Sequence, residues 1–225
     1  MPIVSIEGNI GAGKSTVLSA LQDLGFIVVP EPTHRWPLDD FYRDPQNFAL
    51  TFQTAVLATS HPSLFATHLG GAIDYAHGTE LSEAAGLPCG LVFTERCPIS
   101  QRQVFWRQLV DTGVVTSRET EIFSRVARAL YWEPDLVIYL RTSAELCAHR
   151  VASRGQSGDQ GVDLPLIQRL ESYYDRVFDR TDPLTPCQSI TLDTDLQPAD
   201  ITVNRILNIV SAFRDEFPAG QGTWY

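Results

Sequence analysis

Short, continuously apolar runs alternate along this chain with longer stretches in which apolar residues recur every three or four positions. The short runs, at 2–7, 26–29, 90–94, 135–140 and 188–192, predict β-strands. The periodic stretches, around 15–24, 45–60, 99–111, 117–131, 143–152, 165–181 and 200–213, predict helices. Strands that lack polar alternation are buried on both faces, which is the mark of a parallel sheet covered by helices. The pattern therefore predicts an α/β fold in three layers, a central five-stranded parallel sheet flanked by helices. No repeat or long linker interrupts it, so 1–217 reads as one domain and the glycine-bearing 218–225 as a flexible tail. Two segments read as loops: 61–89, and the polar, glycine-rich 153–164, which follows an arginine-bearing helix as a lid would.

The first strand runs into Gly8-Asn9-Ile10-Gly11-Ala12-Gly13-Lys14-Ser15, followed by Thr16 and a helical stretch. This fits the phosphate-cradling pattern G-x-x-x-x-G-K-[ST] in its required strand–loop–helix setting. Glycines let backbone N–H groups turn inward around phosphates, and the helix N-terminus adds its positive dipole end. Lys14 suits the β- and γ-phosphates, and the Ser15 hydroxyl suits Mg²⁺. Residues 8–16 are thus the predicted nucleoside-triphosphate-binding loop, and the α/β pattern becomes that of a P-loop fold with an arginine-bearing lid.

Composition narrows the partners. A net charge of −10 over 225 residues argues against a nucleic-acid surface, which needs a basic stripe. An anionic ligand must then meet a local cluster of cations. Cys89, Cys97, Cys147 and Cys187 form no C-x-x-C pair and read as buried thiols of a reducing compartment. No run is long and apolar enough to span a bilayer, and the first strand starts almost at Met1. The expectation is a soluble cytoplasmic protein with neither membrane nor nucleic-acid partner.

Three further clusters bear on the acceptor. Glu31 follows the second strand and Glu95-Arg96 ends the third, so both lie at the sheet edge that carries the phosphate loop. Glu31 could take a proton from an attacking hydroxyl, Arg96 could stabilise charge in transfer, and Glu95 could help Ser15 place Mg²⁺. Arg141, Arg150 and Arg154 flank the predicted lid, the last two spaced i, i+4 on one helical face. Each cluster alone is also compatible with an ordinary solvated loop or structural ion pair. Together with the loop they favour a phosphotransferase.

The ordered series of the phosphate loop, Glu31-Pro32, Trp36, Phe52-Gln53 and Glu95-Arg96 resembles the deoxynucleoside kinases. The resemblance runs from Ile3 to about the last helix. It implies ATP-dependent phosphorylation of a deoxyribonucleoside for salvage into DNA synthesis, with Mg²⁺ as cofactor. It also implies roles: Glu31 as general base, Arg96 and Lys14 as catalytic cations, and Arg150 and Arg154 as lid arginines on ATP. Gln53 would pair with the base edge, while Trp36, Leu38 and Phe105 line the base slot. Tyr42 and Asp159 would hold the sugar 3′-hydroxyl. Core packing is the simpler expectation for Phe52.

The chain departs from the family in places. Counting from the landmarks, Ser60 and Gln101 stand where members that prefer cytosine or purines carry Arg and Asp. Thymidine-favouring members carry small or apolar residues there, so the chain fits neither pattern; the missing Arg–Asp pair favours a pyrimidine acceptor, thymidine first. Gln156 replaces a third lid arginine, Cys97 a serine, and the long 61–89 segment lies where the family makes its dimer helices, which leaves a homodimer open. Two rivals stay open: a nucleoside-monophosphate or other small-metabolite kinase, and a non-catalytic subunit of the same fold. A regulatory GTPase is disfavoured, because Leu192-Asp193-Thr194-Asp195 is not a guanine-reading motif.

Overall fold

The computed structural model describes residues 2–62, 91–156, 158–178 and 187–216. The predicted tail and nearly all of the 61–89 segment lie outside these residues, as does Cys89. Five strands form one parallel sheet: β1 (Ile3–Gly8), β2 (Ile27–Val29), β3 (Val92–Glu95), β4 (Leu136–Arg141) and β5 (Gln188–Asp193), in the order β2-β3-β1-β4-β5. The register pairs Ile6 with Glu95 and with Ile138, so the ends of β1 and β3 come level.

Eight helices are described. They are α1 (Lys14–Asp23), α2 (Leu38–Arg43), α3 (Pro45–Thr59), α4, α5 (Ser117–Ala129), α6 (Ala144–Arg154), α7 (Leu164–Phe178) and α8 (Ala199–Glu216). The helix α4 is continuous through Pro98–Ser100, a π-helical stretch Gln101–Trp106 and Arg107–Asp111. Each predicted strand and helix is present, displaced by at most three residues at its ends. Helix α2 was not anticipated, since six residues are too few to register a 3.6-residue period.

The sheet is buried on both sides. Leu136, Ile138 and Leu140 of β4 pack with Val4, Ile6, α1 and α8, while Val137 and Tyr139 face α4 and α7. That alternation is the period-2 geometry of a strand, with apolar residues called for on each face. Connections leave β1 toward β2 and leave β3 toward β4, in opposite directions. The neighbouring carboxyl ends of β1 and β3 therefore open a crevice at a topological switch point, where open α/β sheets bind ligands.

Candidate active site

The crevice is a cavity of about 700 Å³. Its floor is the loop between β1 and α1, where Ile10, Gly11, Gly13, Lys14, Ser15 and Thr16 reach the wall. Gly11 has φ +85, and a Cβ there would lie 2.5 Å from the Cys147 carbonyl oxygen, so no side chain fits. The other three predicted loop positions turn away from the cavity. Asn9 braces the loop by donating to Ile167 O at 2.9 Å, and Ala12 packs into a small core with Cys147 and Ile167. The Gly8 carbonyl faces Arg96 Nη2 at 3.4 Å. Lys14, the sole lysine of the chain, is buried and donates to Asn9 O at 2.9 Å. Burial pulls its amine down to about 8, helped by nearby Arg96 and opposed by Glu95 and Glu31.

Glu31 and Arg96 form a buried ion pair where the loop meets the rest of the cavity. Arg96 also donates through Nε to Tyr174 Oη at 3.0 Å and lies 5.0 Å above the Phe105 ring. Burial opposes its charge most strongly, but Glu31, Tyr174, Glu95 and Glu7 together outweigh it and hold the guanidinium protonated. Burial pushes Glu31 up to about 7, against the pull of Arg96. A carboxyl so poised suits proton acceptance near neutrality. Arg96 has φ +62, a left-handed conformation that costs a non-glycine residue about 1–3 kcal/mol. Three contacts hold it there: Arg96 N to Ile6 O, Thr94 Oγ1 to Arg96 O, and the next amide, Cys97 N, to Glu7 Oε1 at 2.8 Å.

Glu95 lies beside them. Its Oε1 accepts from Ser15 Oγ at 3.3 Å and lies 3.9 Å from Lys14 Nζ, while Oε2 accepts from Glu31 N at 3.4 Å. The hydroxyl of Ser15 and this carboxylate converge as hard oxygen donors beside the loop. No cluster of three or more His, Cys, Asp or Glu suits a metal among the described residues.

Beyond the ion pair the cavity becomes an aromatic slot. Phe52 stacks on Phe41 at 4.6 Å and meets Trp36 edge-on at 6.0 Å. Trp36 is oriented by its Nε1 bond to Thr59 Oγ1 at 2.8 Å. Phe52 thus lines the slot as well as packing, which the sequence reading did not assign to it. Gln53 is 2 % exposed, and its Oε1 has no protein partner. Burying an amide oxygen unpaired is costly, so this atom marks where a ligand donor would sit. Gln101 and Phe105, one helical turn apart on the π-helical part of α4, face the same space, as do Gln108 and Leu109.

Ser60 is not in this cavity. Seven residues past Gln53 is about 10 Å along a helix, which carries Ser60 beyond the slot. There its hydroxyl donates to Val56 O and its carbonyl accepts from Trp132 Nε1. Arg141 is likewise elsewhere, paired with Asp193 at the ends of β4 and β5.

The lid lies over the cavity. Arg150 Nη1 donates to Gly11 O at 3.4 Å, and Gln156 lines the wall. Arg154 holds Asp159 with two bonds of 2.8 and 2.7 Å, so these predicted ATP and sugar ligands here bind each other. On the acceptor side, the lid touches α2. A Cβ on Gly161 would lie 2.1 Å from Tyr42 Cδ1, and Leu38 packs beside Gly158. Burial first, and Asp159 second, push the Tyr42 phenol up to about 12. Tyr174 and Glu7, which hold Arg96 in place, escaped the sequence reading because each acts across many residues of chain.

Known proteins with similar sequences bear on this site. The chain is 30% identical over 181 residues to a protein of fowlpox virus named a probable deoxycytidine kinase, covering 77% of this chain and 70% of that one. It is 29% identical over 199 residues to human deoxycytidine kinase, covering 74% and 71%, and 30% identical over 200 residues to the bovine deoxycytidine kinase, again covering 74% and 71%. The model of the deoxynucleoside kinase family matches residues 4–214, and the chain belongs to that family.

Proposed function

We propose that the protein transfers the γ-phosphoryl group of ATP to the 5′-hydroxyl of a pyrimidine deoxyribonucleoside, with thymidine the first candidate. One observation carries this reading. A single cavity joins the phosphate loop to an aromatic slot, with the Glu31–Arg96 pair at the junction. Phosphoryl transfer asks mainly for positioning and charge stabilisation. Lys14 and the loop amides would grip the donor phosphates, with Arg150 and, once released from Asp159, Arg154 closing over them. Glu31 would accept the 5′-hydroxyl proton while Arg96 steadies both it and the incoming group. Ser15 and Glu95 fit a Mg²⁺ ion, which takes few protein ligands and keeps water and phosphate oxygens as the rest. When bound, that ion would neutralise charge on the β- and γ-phosphates.

Trp36, Phe41, Phe52 and Phe105 would hold the base, and Gln53 would read its edge, with Tyr42 and Asp159 on the 3′-hydroxyl. The neutral, buried Gln101 supports a pyrimidine, thymidine included. Deoxycytidine is the second reading, favoured by the names of the relatives. An amide serves either pyrimidine, since it offers both donor and acceptor. A monophosphate acceptor finds less support, because Arg43 beside the slot is exposed and paired with Asp40.

The test is ATP-dependent phosphorylation of the four deoxyribonucleosides and thymidylate, with Glu31→Gln alongside. Turnover of a pyrimidine nucleoside is expected, with kcat in the variant lower by roughly 10²–10⁴-fold and nucleoside binding retained. Near-normal turnover by Glu31→Gln would remove Glu31 from its role as base.

A further inference from the structure

Glu7 is a fully buried carboxylate that no step above uses. It sits on β1 one residue before the phosphate loop and points toward α4 and α7. Its Oε1 accepts from Cys97 N at 2.8 Å and Ser100 Oγ at 2.9 Å, with Ser5 Oγ farther off at 3.5 Å. Its Oε2 has no partner in the protein. Burial pushes the carboxyl up, while Arg96 and the donors from Cys97 and Ser100 pull it down. An apolar residue would fill this place without that cost, so the carboxylate needs another reason.

The bonds supply it. The Cys97 amide belongs to the peptide that follows Arg96, the one described non-glycine residue with a left-handed φ. Ser100 stands in the first turn of α4, the helix that brings Gln101 and Phe105 to the cavity. Cys97 provides no side-chain cap for that helix, and Glu7 reaches in from the neighbouring strand to bond the Cys97 amide just before it and the Ser100 hydroxyl within it. We propose that Glu7 is a positioning residue, whose carboxylate bridges β1 to the Arg96–Cys97 peptide and thereby aims the Arg96 guanidinium at Glu31 and the transferring phosphoryl group. The inference rests on the catalytic role given to Arg96 above.

Two variants separate bridge from charge. Glu7→Asp keeps the charge but is one methylene too short, and Glu7→Gln keeps the acceptor and removes the charge. With the 225-residue protein, Glu7→Asp should lose roughly thirtyfold or more in kcat with both KM values within about threefold, the pattern of a contact realised in the transition state. Glu7→Gln should lose less than about threefold. Hydrogen exchange gives a readout that needs no turnover. The Cys97 amide should exchange slowly in the parent protein and in Glu7→Gln, and lose protection in Glu7→Asp.

Equal losses in both variants, an effect on KM alone, or an unprotected Cys97 amide in the parent would each overturn the inference. If Glu7→Asp does not fold, a kcat loss above about tenfold in folded Glu7→Gln overturns it as well. A parent protein that exchanges as expected but phosphorylates no nucleoside would sink the proposed function and leave the Glu7 bridge standing.

Discussion

In the proposed reaction Glu31 has to be a carboxylate that still wants a proton, and its surroundings set that balance. Burial raises its proton affinity to about 7, and Arg96 stops it from going higher. A base acts only when unprotonated, so kcat/KM should fall about tenfold per pH unit below that value, and fall again above about 8, where Lys14 loses the charge that grips the phosphates. A pH–rate profile of the parent protein checks this, and a flat profile from pH 5 to 8 would contradict it. Residue types at this scale were largely readable from sequence. Lys14 and Ser15 are named by their motif, and Glu31 and Arg96 by their place at strand ends. Ser60 was not, because counting along a helix gives its face but not where the cavity stops. Nor were Tyr174 and Glu7, whose bonds to the Arg96 region span 78 and 90 residues of chain.

Elements with a sustained hydrophobic period were legible, and the structure adds their caps. Thr116 and Glu119 form a reciprocal capping box at the start of α5, and Asp44-Pro45 opens α3. Since Thr116 lies away from the cavity, Thr116→Ala should cost about 1 kcal/mol of stability and leave kcat unchanged. Urea unfolding and a kinetic assay together test that separation. The lid behaves differently, because its geometry depends on what it meets. Gly161 lies flat against Tyr42, and a methyl group there cannot be accommodated without moving one of them. Gly161→Ala should therefore hold the lid off α2, lowering kcat/KM for the nucleoside by roughly tenfold or more with little change in stability. Unaltered kinetics would mean that the lid does not need this contact. Helix α2 and the π-helical turn of α4 were both illegible, one too short for a period and the other a small change in phase.

Across the whole molecule, an acidic chain gathers Lys14, Arg96, Arg150 and Arg154 around one cavity, which is how it can receive a polyanion at all. No helix among the described residues is long and apolar enough to cross a membrane. The donor and acceptor ends of the cavity are built from different elements, the loop and α6 on one side, α2, α3 and α4 on the other. Chelating Mg²⁺ should then abolish turnover while a saturating nucleoside still raises the unfolding temperature, a hundredfold excess over Kd adding about 2.7 kcal/mol. Loss of that thermal shift with the metal would show that the two ends do not bind independently. The sequence by itself determined the parallel α/β class, the phosphate loop and the residue types of the chemistry, because hydrophobic period and loop geometry are local properties. Tertiary structure alone decided the order β2-β3-β1-β4-β5, and with it how closely Glu31, Arg96 and Lys14, already expected at one sheet edge, come together. It also decided that Arg154 and Asp159 hold each other, that Ser60 stands outside the slot, and that Glu7 reaches Cys97. The reason is physical: each of these depends on which distant segments pack together, and no short window of sequence encodes that choice.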